Sequence, residues 1–186
     1  MKKLTYLFLA LLIVACSSDD GGDTGNDTLV IGDSYQGGKI AYIFQSGDTG
    51  YVAGEQHGLI AATQDQSNGI QWYNGDYIVT GATGTAIGTG LTNTNAIIAV
   101  QGSGSYAASI ARDYNGGGYT DWFLPSKDEL NQLYVNSAAI GGFTDYWYWS
   151  STDFEVDNAW EQGFYSGNQT INNKYDANYV RAVRAF

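Results

Sequence analysis

The chain has a single cysteine, Cys16, and it stands directly after Ala15 at the end of an apolar run that begins at Leu4. Any domain built from the rest of the sequence must therefore hold without a disulfide, and packing has to supply its stability. The material for packing is there. Roughly 158 residues follow Leu29, the usual size of one domain. Fifteen Tyr, seven Phe and five Trp offer large side chains to bury or to present to a ligand. Glycine occurs 25 times and proline once, in short runs such as residues 81–90, which marks turns and close-packed loops rather than a fibrous repeat.

The N-terminus reads as an export signal. Lys2 and Lys3 form a basic region, residues 4–15 are apolar, and a small residue precedes the cut. An apolar segment of this length is too short to span a bilayer, which needs about 20 residues. A cysteine placed immediately after Ala15 resembles the bacterial lipobox, in which the thiol is lipidated and the cysteine becomes the first residue. Residues 1–15 are then a signal peptide, and acyl chains on Cys16 supply stable membrane attachment. Residues 17–27, SSDDGGDTGND, have no apolar side chain to bury. Residues 16–31 are therefore expected to be a flexible acidic tether of the kind that accompanies surface export of lipoproteins at an outer membrane. The globular domain is expected over residues 32–186.

Charge narrows the partners. The chain carries 19 acids against eight bases, a net charge of −11. Loss of Lys2 and Lys3 leaves 19 acids against six bases, or −13. Such a surface disfavours nucleic acid and anionic headgroups, and suits neutral glycans, cations or basic proteins.

Along the domain, residues 38–45 (GKIAYIFQ) read as a strand, 46–50 as a turn, and 51–54 and 58–62 as returning strands of a meander. Asn74-Gly75 after Trp72-Tyr73 is a turn signal. Residues 91–112 read as two helical pieces broken by Gly102-Ser103-Gly104. Ser126 and Glu129 form a capping box that starts a helix near Lys127, with Leu130, Leu133 and Tyr134 on one face. Residues 146–152, 159–165 and 179–186 are strand-like. The fold class is α+β with antiparallel strands.

Five ordered blocks then carry a resemblance. Gly88-x-Gly90-x-x-Asn93-Thr94-x-x-Ile97 comes first, followed by Gly117-Gly118-x-x-Asp121-Trp122-Phe123-Leu124-Pro125-Ser126-x-x-Glu129-Leu130. Tyr148-Trp149-Ser150-Ser151-Thr152, Ala159-Trp160 with Phe164, and Val180-Arg181-Ala182-Val183-Arg184 complete the set. This order resembles the Lcl C-terminal domain family, which takes its name from the C-terminal domain of a bacterial collagen-like adhesin. The resemblance implies a C-type-lectin-like fold: a twisted antiparallel sheet, two or three short helices and long ordered loops. It also suggests adhesion. Asp121, Ser126, Glu129, Ser150, Ser151 and Arg181 are read as structural, since caps and paired buried charges account for their chemistry.

No catalytic residues are assigned and no enzyme is expected. His57 is the only histidine and has no nucleophile or metal-ligand spacing beside it. The oxidase chemistry of formylglycine-generating enzymes, which share the architecture, needs cysteines that the domain lacks. If residues 151–157 are extended, Asp153, Glu155 and Asp157 fall on one side, either as a solvated acidic edge or as oxygen ligands for Ca²⁺, the one cofactor considered. Trp72, Tyr73, Tyr146, Tyr148 and Tyr165 stand near Asn, Gly or Asp in turns and strand ends, where rings can stack on a sugar; they can equally fill the core. Period-two alternation puts Trp147 and Trp149 on one face, leaving Tyr146 and Tyr148 as the more exposed pair if Trp149 is core. The expected function is lectin-like binding of a glycan or extracellular protein ligand at the cell surface. A complex-forming subunit that presents the domain to a partner protein is the alternative.

Overall fold

The computed structural model describes residues 28–186. Cys16 and the proposed signal peptide lie outside the described residues, as does the acidic run 17–27. Backbone hydrogen bonding begins at Leu29, whose amide donates to the Gln56 side chain at 2.8 Å. No helix among the described residues is long and apolar enough to cross a membrane.

The fold is α+β, with its strands divided between two sheets. The first has the order β1 (Ser34–Tyr35), β2 (Gly38–Ile43), β3 (Gly58–Ala61) and β9 (Val183–Ala185), all antiparallel. The returning strand expected at residues 51–54 does not form. Gly47, Gly50 and Gly54 all take positive φ, so the chain turns repeatedly between Phe44 and His57, and Phe44 N–H closes the excursion on His57 O at 2.8 Å. The Asp48 carboxylate fixes the first of these turns by accepting from Gln45 N–H at 2.7 Å and Tyr42 OH at 2.9 Å.

The second sheet has the order β4 (Ser67–Ile70), β8 (Asn178–Val180), β5 (Trp147–Phe154), β6 (Asn158–Gly163) and β7 (Gln169–Asn173). Strands β5, β6 and β7 form an antiparallel meander, and β8 then returns to the far side of β5, pairing parallel to it at Tyr148–Tyr179. The strand-like segment at the C-terminus is thus split. β8 serves one sheet and β9 the other, with Arg181 and Ala182 between them.

The helices follow their sequence signals. α1 (Gly90–Gln101) ends at Gly102 with φ 70°, and α2 (Ala107–Asp113) follows the Gly-Ser-Gly break. α3 (Lys127–Val135) starts at a complete capping box: Ser126 Oγ accepts from Glu129 N–H at 3.3 Å, and Glu129 Oε2 accepts from Ser126 N–H at 2.7 Å. α4 (Ser137–Ile140) is a single extra turn. Two cores result. Trp72, Tyr106, Trp122 and Trp149 fill one, and Leu59, Phe123, Leu133, Tyr148 and Phe164 fill the other. Trp149 and Tyr148 are neighbours on β5 that enter different cores, so this central strand is buried on both faces.

Candidate functional site

The five aromatic candidates separate into two groups. Trp72 is fully buried; its indole N–H donates to Ser150 O at 2.8 Å and its backbone N–H to Lys174 O at 3.0 Å. Tyr73 is buried and stacks on Tyr77 at 4.8 Å. Tyr148 is also fully buried, with Phe143, Phe164 and Tyr179 around its ring and its hydroxyl donating to Asp65 Oδ2 at 3.0 Å. Burial pushes the Tyr148 phenol above its usual range. These three therefore serve the core and are not open stacking surfaces. Alternation misplaced Tyr148 because β8 and β6 flank β5 and a second core covers the face opposite Trp149.

Tyr146 and Tyr165 remain, at 59% and 57% exposure. Sheet register brings them to the same end, where β5 begins and β6 ends: Trp147 pairs with Gly163, and Phe164 N–H donates to Tyr146 O at 2.9 Å. Both rings are backed by another. Tyr146 stacks on Tyr179, centroids 5.0 Å apart and planes 19° apart. Tyr165 meets Trp147 edge-on at 5.5 Å. Gly163 makes this second pair possible, since a Cβ there would lie 3.0 Å from the Tyr165 ring and 3.2 Å from that of Trp147. An exposed ring already held by its neighbour loses little freedom on meeting a ligand.

Beside Tyr146 lies a pocket of about 290 Å³, lined by Phe143 and Phe164, the Gly141-Gly142 turn, and the polar side chains of Ser137, Thr144 and Asp145. Phe143 and Phe164 stack at 4.6 Å. Arg181 fixes the turn from inside by donating to Gly142 O at 2.5 Å and packing its guanidinium 4.1 Å from the centre of the Phe143 ring. Thr144 N–H donates to Tyr148 OH at 3.1 Å. Aromatic walls with a hydroxyl and carboxylate rim can take the apolar face and the hydroxyls of a sugar ring. The sequence reading missed Phe143, Thr144, Asp145 and Tyr179. The Gly141-Gly142 pair directly before an aromatic run is the one local sign of this pocket, and Tyr179 reaches Tyr146 only through the parallel pairing of β8.

The three carboxylates do not form one set. Strand β5 ends at Phe154, Glu155 takes φ 60°, and only Glu155 and Asp157 are exposed. Asp153 is buried: Oδ1 lies 2.6 Å from Lys174 Nζ, and Oδ2 accepts from Thr80 N–H at 3.0 Å and Thr80 Oγ1–H at 2.6 Å. Lys174, also fully buried, donates to Glu155 O at 3.1 Å and Val156 O at 2.9 Å. Its ammonium is the cation that Asp153 Oδ1 and these two carbonyls meet. Asp153 is therefore part of neither a solvated edge nor a shared ligand set. Among the described residues, no group of three or more His, Cys, Asp or Glu side chains is placed to hold a metal.

The residues read as structural sit in the frame. Asp121 pairs with Arg184 at 2.7 Å, and that guanidinium holds its carboxyl below the usual range. Ser150 Oγ donates to Trp160 O at 2.8 Å, and Ser151 N–H to Pro125 O at 2.7 Å. Arg181 pairs with Asp65 at 2.7 Å. His57, directly before β3, bridges Phe186 O and Glu55, each at 3.0 Å. A model of the Lcl C-terminal domain family matches residues 61–184, two thirds of the chain and all of the second sheet. No curated protein matches the chain.

Proposed function

Since the chain belongs to the Lcl C-terminal domain family, we propose that it is a non-enzymatic surface lipoprotein, anchored through Cys16, whose aromatic sheet end binds a neutral glycan in adhesion. One observation carries this reading: Tyr146 and Tyr165 are exposed at the same end of the sheet, each backed by a second ring, beside a pocket with aromatic walls and a polar rim. The pocket's one charged lining residue is Asp145. A lone carboxylate accepts hydroxyl donors and repels carboxylated or sulfated sugars, which favours neutral ones.

The test is a glycan array probed with the purified chain, with and without Ca²⁺, alongside Tyr146→Ala and Tyr165→Ala. Saturable binding to neutral glycans that either substitution removes is the expected result. Binding that survives both substitutions, or a preference for sulfated glycans, removes the site from consideration. Loss of binding when Ca²⁺ is withdrawn adds a cation to the site without altering its location.

A further inference from the structure

We infer that the loops at the opposite end of β5 form a docking surface for an arginine- or lysine-rich segment of a partner protein. Three segments meet there: residues 76–80, the β5–β6 turn 155–157, and residues 173–176 after β7. The buried Lys174–Asp153 pair pins them together. Lys174 holds the carbonyls of Glu155 and Val156, Asp153 holds Thr80, and Lys174 N–H donates to Asp157 O at 2.8 Å. Tyr77 OH adds a bond to Asn173 Oδ1 at 2.7 Å. The surface is thus preformed, which lowers the ordering cost of binding.

Its chemistry is apolar and acidic together. Tyr77, Ile78, Val79, Val156 and Tyr175 are all exposed, Tyr175 to 62%. Around them stand the carboxylates of Asp76, Glu155, Asp157 and Asp176, all exposed and none in a salt bridge among the described residues. The one base in these segments, Lys174, is buried and already matched by Asp153. Four uncompensated negative charges therefore surround two exposed phenol rings. The neighbouring Tyr73 phenol is raised by burial first, then by Tyr77 and Tyr175, with Asp76 the smallest contributor. Guanidinium and ammonium groups suit such a surface, since they pair with carboxylates, lie over aromatic faces and carry an apolar stem. A small metal ion gains nothing from the exposed valines and isoleucine. A neutral sugar can use a single carboxylate as a hydroxyl acceptor, but it brings no positive charge to offset four of them.

This inference does not rest on the glycan reading, because the two surfaces share no residue. The experiment measures binding of arginine–glycine and lysine–glycine repeat peptides to the full chain in detergent micelles, at about 0.15 M ionic strength where long-range attraction is screened. The triple variant Asp76→Asn/Asp157→Asn/Asp176→Asn is compared with a charge-matched variant elsewhere, Asp33→Asn/Glu55→Gln/Asp113→Asn. The expected result is a loss of about tenfold or more from the first triple, a loss of less than about threefold from the second, and a severalfold loss from Tyr175→Ala. Equal losses from both triples reduce the binding to net charge and overturn the proposal, as does the absence of saturable binding. Tyr175→Ala removes an exposed ring, and a circular dichroism spectrum and unfolding midpoint equal to the parent's separate lost binding from a folding defect.

Discussion

Glu129 illustrates how much one side chain can be asked to do in this fold. It is fully buried, Oε1 accepts from Gly88 N–H at 2.8 Å, and Oε2 accepts from Ser126 N–H at 2.7 Å. The capping box was legible because its two members are three residues apart. The bond to Gly88 was not, since 41 residues separate the partners and only the tertiary fold brings them together. Burial pushes the Glu129 carboxyl up to about 7, while hydrogen bonds from Ser126, Gly88 and Gly90 pull it down. Because the folded state holds this proton more tightly than the unfolded chain, the resulting stabilisation is complete below about pH 4.5 and is lost as pH rises through about 7. Urea unfolding should therefore show stability falling between pH 5 and 8 by an amount on the order of 2–3 kcal/mol. Glu129→Gln should flatten that slope, even though the amide, set against two N–H donors, lowers overall stability; an unchanged slope assigns the titration elsewhere. Asp153 makes the opposite case. Its partner Lys174 lies 21 residues away with no sequence signal joining them, so the acid read as solvent-facing or metal-binding. Asp153→Ala leaves a buried ammonium and should cost about 3–5 kcal/mol by denaturant titration. Adding Lys174→Met should recover part of that loss; no recovery removes the pair as the cause.

At the level of elements, the helix caps and breaks and most strands were legible, whereas the short strand expected at residues 51–54 and the features set by sheet pairing were not. Caps and glycine breaks located α1, α2 and α3 because both are short-range chemistry. The split of the last strand into β8 and β9 has no local mark: residues 179–186 read as one strand-like segment, and only the crossing from one sheet to the other separates its halves. β5 is the instructive failure. Its pairing with β6 shifts register between Trp149 and Asp153, and residues 148–153 are buried without interruption, so period two no longer reports which side faces water. The two tyrosines that alternation grouped together should therefore behave differently. Tyr148→Ala opens a cavity among Phe143, Phe164 and Tyr179 and should cost about 3–5 kcal/mol. Tyr146→Ala forfeits one exposed stacking contact and should cost about 1 kcal/mol or less, with binding at the sheet end as its main casualty. Comparable losses in the two, measured by urea titration, would place Tyr146 in the core rather than at a ligand surface.

For the whole molecule, the question posed by a single cysteine outside the domain is what joins two sheets without a covalent link. The answer lies at the crossing from β8 to β9. Arg181 is fully buried there, and its guanidinium holds Asp65 at 2.7 Å, Ala62 O at 2.9 Å and Gly142 O at 2.5 Å, so one side chain ties the end of β3, the approach to β4 and the turn after α4. Two residues on, Val183 bridges Phe123 in both directions, at 2.7 and 2.9 Å. These contacts span more than a hundred residues of sequence between Arg181 and Asp65, a closure that a disulfide supplies in many cysteine-containing domains. A non-covalent tie of this kind makes the two cores interdependent, so the domain should unfold in one transition. Tryptophan emission, dominated in its burial-dependent change by Trp72, Trp122 and Trp149 with half-buried Trp147 and Trp160 contributing, should coincide with far-ultraviolet circular dichroism, which follows the whole backbone. Arg181→Ala should lower stability by about 3–5 kcal/mol, because it leaves Asp65 and the freed carbonyls without their donor. Arg181→Lys should restore little, since one ammonium cannot reach acceptors spread around a planar fork. If the tie is what couples the sheets, the two optical transitions separate in Arg181→Ala while remaining coincident in the parent chain. If they stay coincident in the variant, the shared strand β5, which sends Tyr148 to one core and Trp149 to the other, is sufficient to hold the domain together.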